Sequence, residues 1–184
     1  MTWILDTAST IADTMSAYGT TETLTKNVKV PILVKLAYGT GHILNDMCAS
    51  MWFTYLLIYF HKVLNFDHVI GGALLTIGQA ADGLSTLFIG SVSDRDSGLA
   101  FCSRYGNRKT WHLIGTICVL FSFAFIFSKC IHCEDASSSA QMVYYASFII
   151  IFQFGWAATQ VSHLAMIPEL TSCQNEYTSL TSIR

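Results

Sequence analysis

Charge is scarce in this sequence: 12% of its 184 residues are Asp, Glu, Lys or Arg, against roughly a quarter in an ordinary soluble domain. Hydrophobic residues make up 52%. The scarcity is also uneven. Residues 36–61, 68–93, 110–128 and 136–168 hold only two charged side chains between them, Asp46 and Asp82. A helix needs about 20 mainly apolar residues to cross a hydrocarbon core of about 30 Å. Each stretch is long enough or nearly so, which predicts four membrane-spanning helices at about 32–60, 69–92, 110–128 and 142–168. The fold class expected is an all-α integral membrane protein.

Other absences narrow the function. The net charge of −2 leaves no basic footprint, and nucleic acid is excluded as a partner. Asp6 and Asp13 interrupt any apolar run near the start, so no cleavable signal peptide is expected and the first helix must direct its own insertion. Residues 1–30 are expected to form a mobile cytoplasmic tail ahead of a membrane part, 31–184. Only two prolines occur, Pro31 and Pro168, and they bracket that part. Neither a His-x-x-x-His zinc pair nor a Gly-x-Ser-x-Gly nucleophile turn is present, so the chain is not expected to be an enzyme and no cofactor is expected.

The basic residues set the expected topology, because short loops rich in Lys and Arg stay on the cytoplasmic side. With an even number of spans, one side collects Lys26, Lys29, Lys35, Arg95, Arg104, Arg108, Lys109 and Arg184; the other has Lys62 and Lys129. The N-terminus is therefore expected in the cytoplasm, and the loops near 62–67 and 129–141 outside or in an organelle lumen. In the second of these loops stands Cys130-Ile-His-Cys133. A disulfide or two free thiols are the readings favoured there; His132 would complete a metal-ligand set, but zinc normally takes four ligands from two spaced pairs. Cys48 and Cys118 lie inside helices as small apolar fillers.

An Asp at the centre of a membrane helix costs roughly 2.5–3.5 kcal/mol, while each Leu, Ile, Phe or Val returns only about 0.3–0.6. Such residues usually face a bundle interior or a water-filled path and mark function; a buried carboxylate that only ties helices together is the plainer reading. In the first helix Tyr38, His42, Asn45, Asp46 and Ala49 follow helical spacing on one face. His42 and Asp46 lie one turn apart, as a proton relay or a static hydrogen bond. In the second, Gln79, Asp82 and Thr86 share a face and offer oxygen ligands to a hard cation such as sodium, or a carboxylate to a proton. In the fourth, Gln153, Trp156, Gln160 and His163 make one polar and aromatic stripe suited to a small polar solute. The third helix has His112 alone, near an interface, and Trp52, Phe53 and Tyr55 read as packing.

At the end of the second helix stands Gly90-Ser-Val-Ser-Asp94-Arg95, followed by Arg104-Tyr-Gly106-Asn-Arg108-Lys109. This resembles the cytoplasmic signature of the major facilitator superfamily, Gly-x-x-x-Asp-Arg-x-Gly-Arg-Arg, in the stretched form of its glycoside–pentoside–hexuronide:cation symporter branch. Its physical logic is an acid near a helix end held by guanidinium forks. The resemblance implies that Gly90, Asp94, Arg95, Arg104, Gly106, Arg108 and Lys109 form a cytoplasmic gate. Tyr38-Gly39-x-Gly41-His42-x-x-Asn45-Asp46 is similar to the branch's first-helix pattern, in which the Asp helps to hold substrate. Asp82 corresponds to a cation ligand, while Thr86 stands where a second acid is usual, a departure that favours a proton over sodium. Pro168-Glu169 and Arg184 match the exit of the fourth helix and the entry of the fifth.

Within the branch, residues 42–57, 104–112 and 151–163 are most like an animal transporter of lysosomes and melanosomes required for cysteine import; the plasma membrane is the other location considered. The resemblance covers 32–184 and implies a twelve-helix fold, of which this chain would carry four helices and the start of a fifth. It is expected to be a fragment or truncated isoform, unable to transport without the C-terminal helices. The function expected of the whole is secondary transport of a small polar solute across the lipid bilayer, coupled to H+ or Na+. The alternatives are a sugar–cation symporter or a non-transporting membrane scaffold. The substrate residues implied are Asp46, His42, Asn45, Gln153, Trp156, Gln160 and Arg184, and the cation residues Asp82, Thr86 and Gln79.

Overall fold

A computed structural model of the chain describes residues 29–93, 106–131 and 136–184. The expected tail, 1–30, lies almost wholly outside the described residues, as do Asp94, Arg95, Arg104 and Cys133. The helices are α1 (Ile32–Thr40), α2 (Ile43–Lys62), α3 (His68–Ser93), α4 (Asn107–Ile126), α5 (Ser138–Ala165), α6 (Ile167–Leu170) and α7 (Gln174–Ile183). Four stretches are long and apolar enough to cross a membrane: Ile32–Lys62, His68–Ser93, Asn107–Ile126 and Ser138–Leu170. The described residues are thus all-helical with four candidate spans, because in hydrocarbon only a helix satisfies each backbone group within its own segment.

Two of the spans contain a break. Between α1 and α2 the amides of Gly41 and His42 bond three residues back, to the carbonyls of Tyr38 and Gly39, both at 3.2 Å. This tight turn shifts the phase of the helix that follows. Tyr38, His42 and Asn45 are buried, Ala49 is half-buried, and Asp46 lies exposed on the flank. The single face drawn through all five residues therefore divides, with Cys48, Trp52, Leu56 and Phe60 continuing its buried edge. The second break follows α5, which stops at Ala165 rather than running to 168. Pro168 lacks an amide hydrogen and its ring crowds the carbonyl four residues back, so the chain restarts as the short α6, with Pro168 in its first turn.

The chain divides into two compact units, Met1–Ile43 with His163–Arg184, and Leu44–Ser162. In the larger unit Trp52, Leu56 and Phe60 of α2 meet Leu74, Val119, Ile126, Tyr145, Ile149 and Phe152. Lipid tails are as apolar as leucine, so close approach rather than exclusion of water holds such helices together. The indole of Trp52 stacks on Phe152 at 5.4 Å and reaches the α3 backbone at Gly78, where a Cβ would stand 2.7 Å from it. Tyr145 donates its hydroxyl to the Ser128 carbonyl just beyond α4, at 2.9 Å.

In the smaller unit Val30, Val34, Tyr38, Met166, Ile167, Leu170 and Leu180 form the core. Helix α7 lies along α1. Lys35 pairs with Glu176 at 2.8 Å and donates to the Ser179 hydroxyl at 2.9 Å, while the Val30 amide donates to the same Glu176 carboxylate at 3.2 Å. Near the end of α1 a Cβ on Gly39 would stand 2.8 Å from the Ile183 side chain. Only a residue without a side chain lets α7 pass there.

Candidate functional site

The smaller unit gathers four of its polar residues into one cluster. The Tyr38 hydroxyl donates to the His163 carbonyl at 3.0 Å, and His163 Nε2 lies 2.8 Å from the Tyr38 carbonyl. A carbonyl only accepts, so that nitrogen carries a hydrogen. The two rings stack at 4.0 Å, and His42 also stacks on His163, at 4.9 Å. Arg184 Nη2 lies 3.0 Å from His42 Nε2. A guanidinium only donates, so His42 Nε2 must be a bare acceptor here. His42 and His163 are both 1% exposed. Two imidazoles and a phenol thus form a stacked wall that ends on an arginine.

In the larger unit the polar side chains are enclosed rather than clustered. Asn45 and Gln153 are 2% and 0% exposed, and the amide oxygen and nitrogen of each lack a hydrogen-bond partner among the described residues. The same holds for Trp52 Nε1, Trp156 Nε1 and Ser162 Oγ. Burying an amide without a partner costs roughly 2–7 kcal/mol, so these groups are suited to meeting something polar. Trp156 is half-buried, edge-on to Phe53 at 5.7 Å and beside Phe152 at 6.4 Å. Gln160, one turn further, is half-buried. On α3 Asp82 is half-buried while Gln79 and Thr86 are exposed.

The segment between α3 and α4 is described from Gly106 onward. Gly106 adopts φ 90°, a left-handed conformation that glycine takes without a steric cost. Its carbonyl receives the Thr110 hydroxyl at 2.9 Å. Arg108 and Lys109 are half-buried on the first turn of α4, and Gly90 half-buried near the end of α3. A residue that the sequence motif passed over does the joining: Asn107 Nδ2 donates to the Ser93 carbonyl at 2.7 Å. It thereby occupies a carbonyl that the end of α3 leaves open. Its position beside a loop glycine was the available signal.

On the opposite loop Cys130 is disulfide-bonded, while Cys48, Cys118 and Cys173 are free. A second feature there has no motif. His61 and His68 stack at 4.1 Å beside a cavity of about 130 Å3 that Phe60, Phe66, Asp67 and Gly71 help to line. His61 Nδ1 donates to the Phe66 carbonyl at 3.2 Å.

A family profile described as MFS/sugar transport protein matches residues 37–184. The chain is 53% identical over 154 residues to "Major facilitator superfamily domain-containing protein 12" of Homo sapiens, covering 83% of this chain and 32% of that protein. To the protein of the same name from Mus musculus it is 50% identical, with the same coverage. An uncharacterized symporter of Synechocystis is 30% identical over 162 residues, 85% of this chain and 28% of that protein. The chain thus spans about a third of the length of these relatives. No solved structure matches it significantly.

Proposed function

Because the chain belongs to the MFS/sugar transport protein family of the major facilitator superfamily, we propose that its spans form part of a secondary active transporter that carries a small polar solute. The observation that carries the reading is the enclosed amide of Gln153, 0% exposed in the middle of a membrane span with both polar atoms unpaired among the described residues. A side chain of that kind is expensive in a purely structural helix. It is well used if it meets the hydroxyl, amine or carboxylate of a solute crossing between helices. Asn45, Asp46, His42, Trp156, Gln160 and Arg184 complete the solute path in this reading. Asp82 with Gln79 and Thr86 holds the coupling ion, H+ or Na+. Gly90, Asp94, Arg95, Arg104, Gly106, Arg108 and Lys109 close the cytoplasmic side.

Cysteine is the solute that the sequence resemblance implies, and a lysosomal or melanosomal membrane its place, with the N-terminus in the cytoplasm. The second reading is a sugar, favoured by the family description. Uptake of radiolabelled cysteine and of a labelled hexose by vesicles holding the full-length protein separates the two. Gln153→Leu should cut uptake of the true solute at least tenfold while expression and helix content stay unchanged. Unchanged uptake by Gln153→Leu would remove this residue, and the argument from it, from the solute path.

A further inference from the structure

Arg184 and His42 stand 142 residues apart in sequence and meet through one hydrogen bond whose direction is set by chemistry. The guanidinium has only donors, so the bond at 3.0 Å exists only while His42 Nε2 carries no proton. A proton arriving there removes the acceptor and sets an imidazolium against a guanidinium. We propose that His42 is a positioning residue for Arg184: neutral, it ties the guanidinium down; protonated, it releases it to take a carboxylate from the solute. The inference rests on the transporter reading above and adds to it a pH-dependent hold on one arginine of the solute path.

The surroundings of His42 suit this role. Its ring is held in place by the stack on His163, which is itself anchored at both ends by Tyr38. The titratable and charged groups on the helices around it are Tyr38 on α1, Asp46 one turn further along its own chain, His163 at the end of α5, and Tyr177 and Arg184 on and after α7. Lys35 and Glu176 neutralise one another further along α1 and α7. His163 Nε2 already carries a hydrogen toward the Tyr38 carbonyl, which leaves His42 Nε2 as the imidazole nitrogen that a guanidinium can use. Imidazole changes charge between about pH 5 and 8, the range that separates acidic from neutral compartments. The protein atoms balance simply: one proton goes onto Nε2, the bond to Arg184 breaks, and the guanidinium bonds to carboxylate oxygens instead. By linkage, a carboxylate that draws Arg184 away must raise the proton affinity of His42 by the same factor.

The test is NMR of the 15N-labelled chain in lipid nanodiscs from pH 8 to 5, following the His42 ring nitrogens and the Arg184 guanidinium, with acetate as the carboxylate probe. The expected result is that Arg184 loses its exchange protection along the His42 titration, and that acetate binds at least fivefold tighter at pH 5.5 than at pH 8. His42→Asn and His42→Gln keep an acceptor that does not titrate, and should leave Arg184 protected and indifferent to pH. An Arg184 signal that ignores the His42 titration, or that responds to pH equally in both variants, would overturn the proposal. Absence of any solute uptake by the full-length protein, with the coupling of His42 and Arg184 intact, would count against the transporter reading and leave this inference standing.

Discussion

Gly115 on α4 and Gly155 on α5 bring their helix backbones into direct contact: a Cβ built on Gly115 would stand 2.6 Å from the Gly155 carbonyl oxygen and 2.7 Å from the Thr159 amide. The obstacle is backbone, which cannot swing aside as a side chain can. Gly115→Ala is therefore expected to destabilise the larger unit by about 1–3 kcal/mol, the usual cost of overpacking. Gly83 on α3 has nothing within 4 Å of its own built Cβ, so Gly83→Ala should be neutral or stabilising by up to about 1 kcal/mol through helix propensity. Unfolding in mixed micelles, followed by circular dichroism, compares the two.

Gly78 and Trp52 form a second close contact, but here the neighbour is a side chain. A Cβ on Gly78 would lie 2.7 Å from the indole. Gly78→Ala and Trp52→Phe should each destabilise. The double variant should cost less than the sum of the two, because the smaller ring makes room for the methyl. Strict additivity in a double-mutant cycle would show that the contact does not govern the packing of α2 on α3.

Acid should loosen α7. The hydrogen bond from Lys35 holds the Glu176 carboxyl below the usual glutamate range; burial opposes this, and the Val30 amide and the charges of Lys35 and Lys29 add to it. A carboxyl lowered in this way contributes stability that is fully present above its unfolded value. That contribution fades as pH falls through the folded value. Protection of the α7 amides, measured against free-peptide exchange at the same pH, should therefore fall below about pH 4 compared with neutral pH. Glu176→Gln should lose most of that acid dependence; an identical pH profile in this variant would mean that another group governs the contact.

Asn107 offers a check on the joint between α3 and α4. Removing its amide in Asn107→Ala leaves the Ser93 carbonyl to water or to nothing, a loss of about 0.5–1.5 kcal/mol for an ordinary hydrogen bond. The expected outcome is faster proteolysis of the loop between α3 and α4. Asn107→Asp, which has no N–H to donate, should behave like the alanine variant. A wild-type rate in both would dissociate this bond from the order of the loop.

Asp82 is the residue on which the proposed ion coupling can be tested. In the full-length protein Asp82→Asn should abolish ion-driven accumulation of solute while leaving downhill exchange and folding intact. Retained accumulation would exclude Asp82 as the ion-binding group.

Much of the fold was legible in the sequence because the membrane imposes a sharp rule. Two charges across four long stretches leave little choice but four spans, and four helices long and apolar enough to cross a membrane stand among the described residues. The exceptions are local. Gly41 and His42 tighten the first span into a turn, and on the helix that follows the neighbours Asn45 and Asp46 point about 100° apart, one buried and the other exposed. Pro168 marks the end of a membrane helix in the sequence, yet the helix ends three residues earlier, because proline disturbs the backbone before it. The candidate site was less legible. Helical spacing reveals only partners a few residues away, such as Asp46 one turn from His42, whereas Arg184, which meets His42 at 3.0 Å, lies at the other end of the chain. The stack of His61 on His68 escaped notice for the opposite reason: the two flank a turn, where neither helical period applies.

The sequence by itself determined what crosses the membrane and which polar residues bear the cost of being there, since the transfer of a charge into hydrocarbon depends on residue type and position in a run. Only the tertiary structure decided which of them meet. Whether His42 accepts a hydrogen bond, and from which donor, depends on how α7 passes the end of α1. That passage is possible because Gly39 has no side chain to meet Ile183.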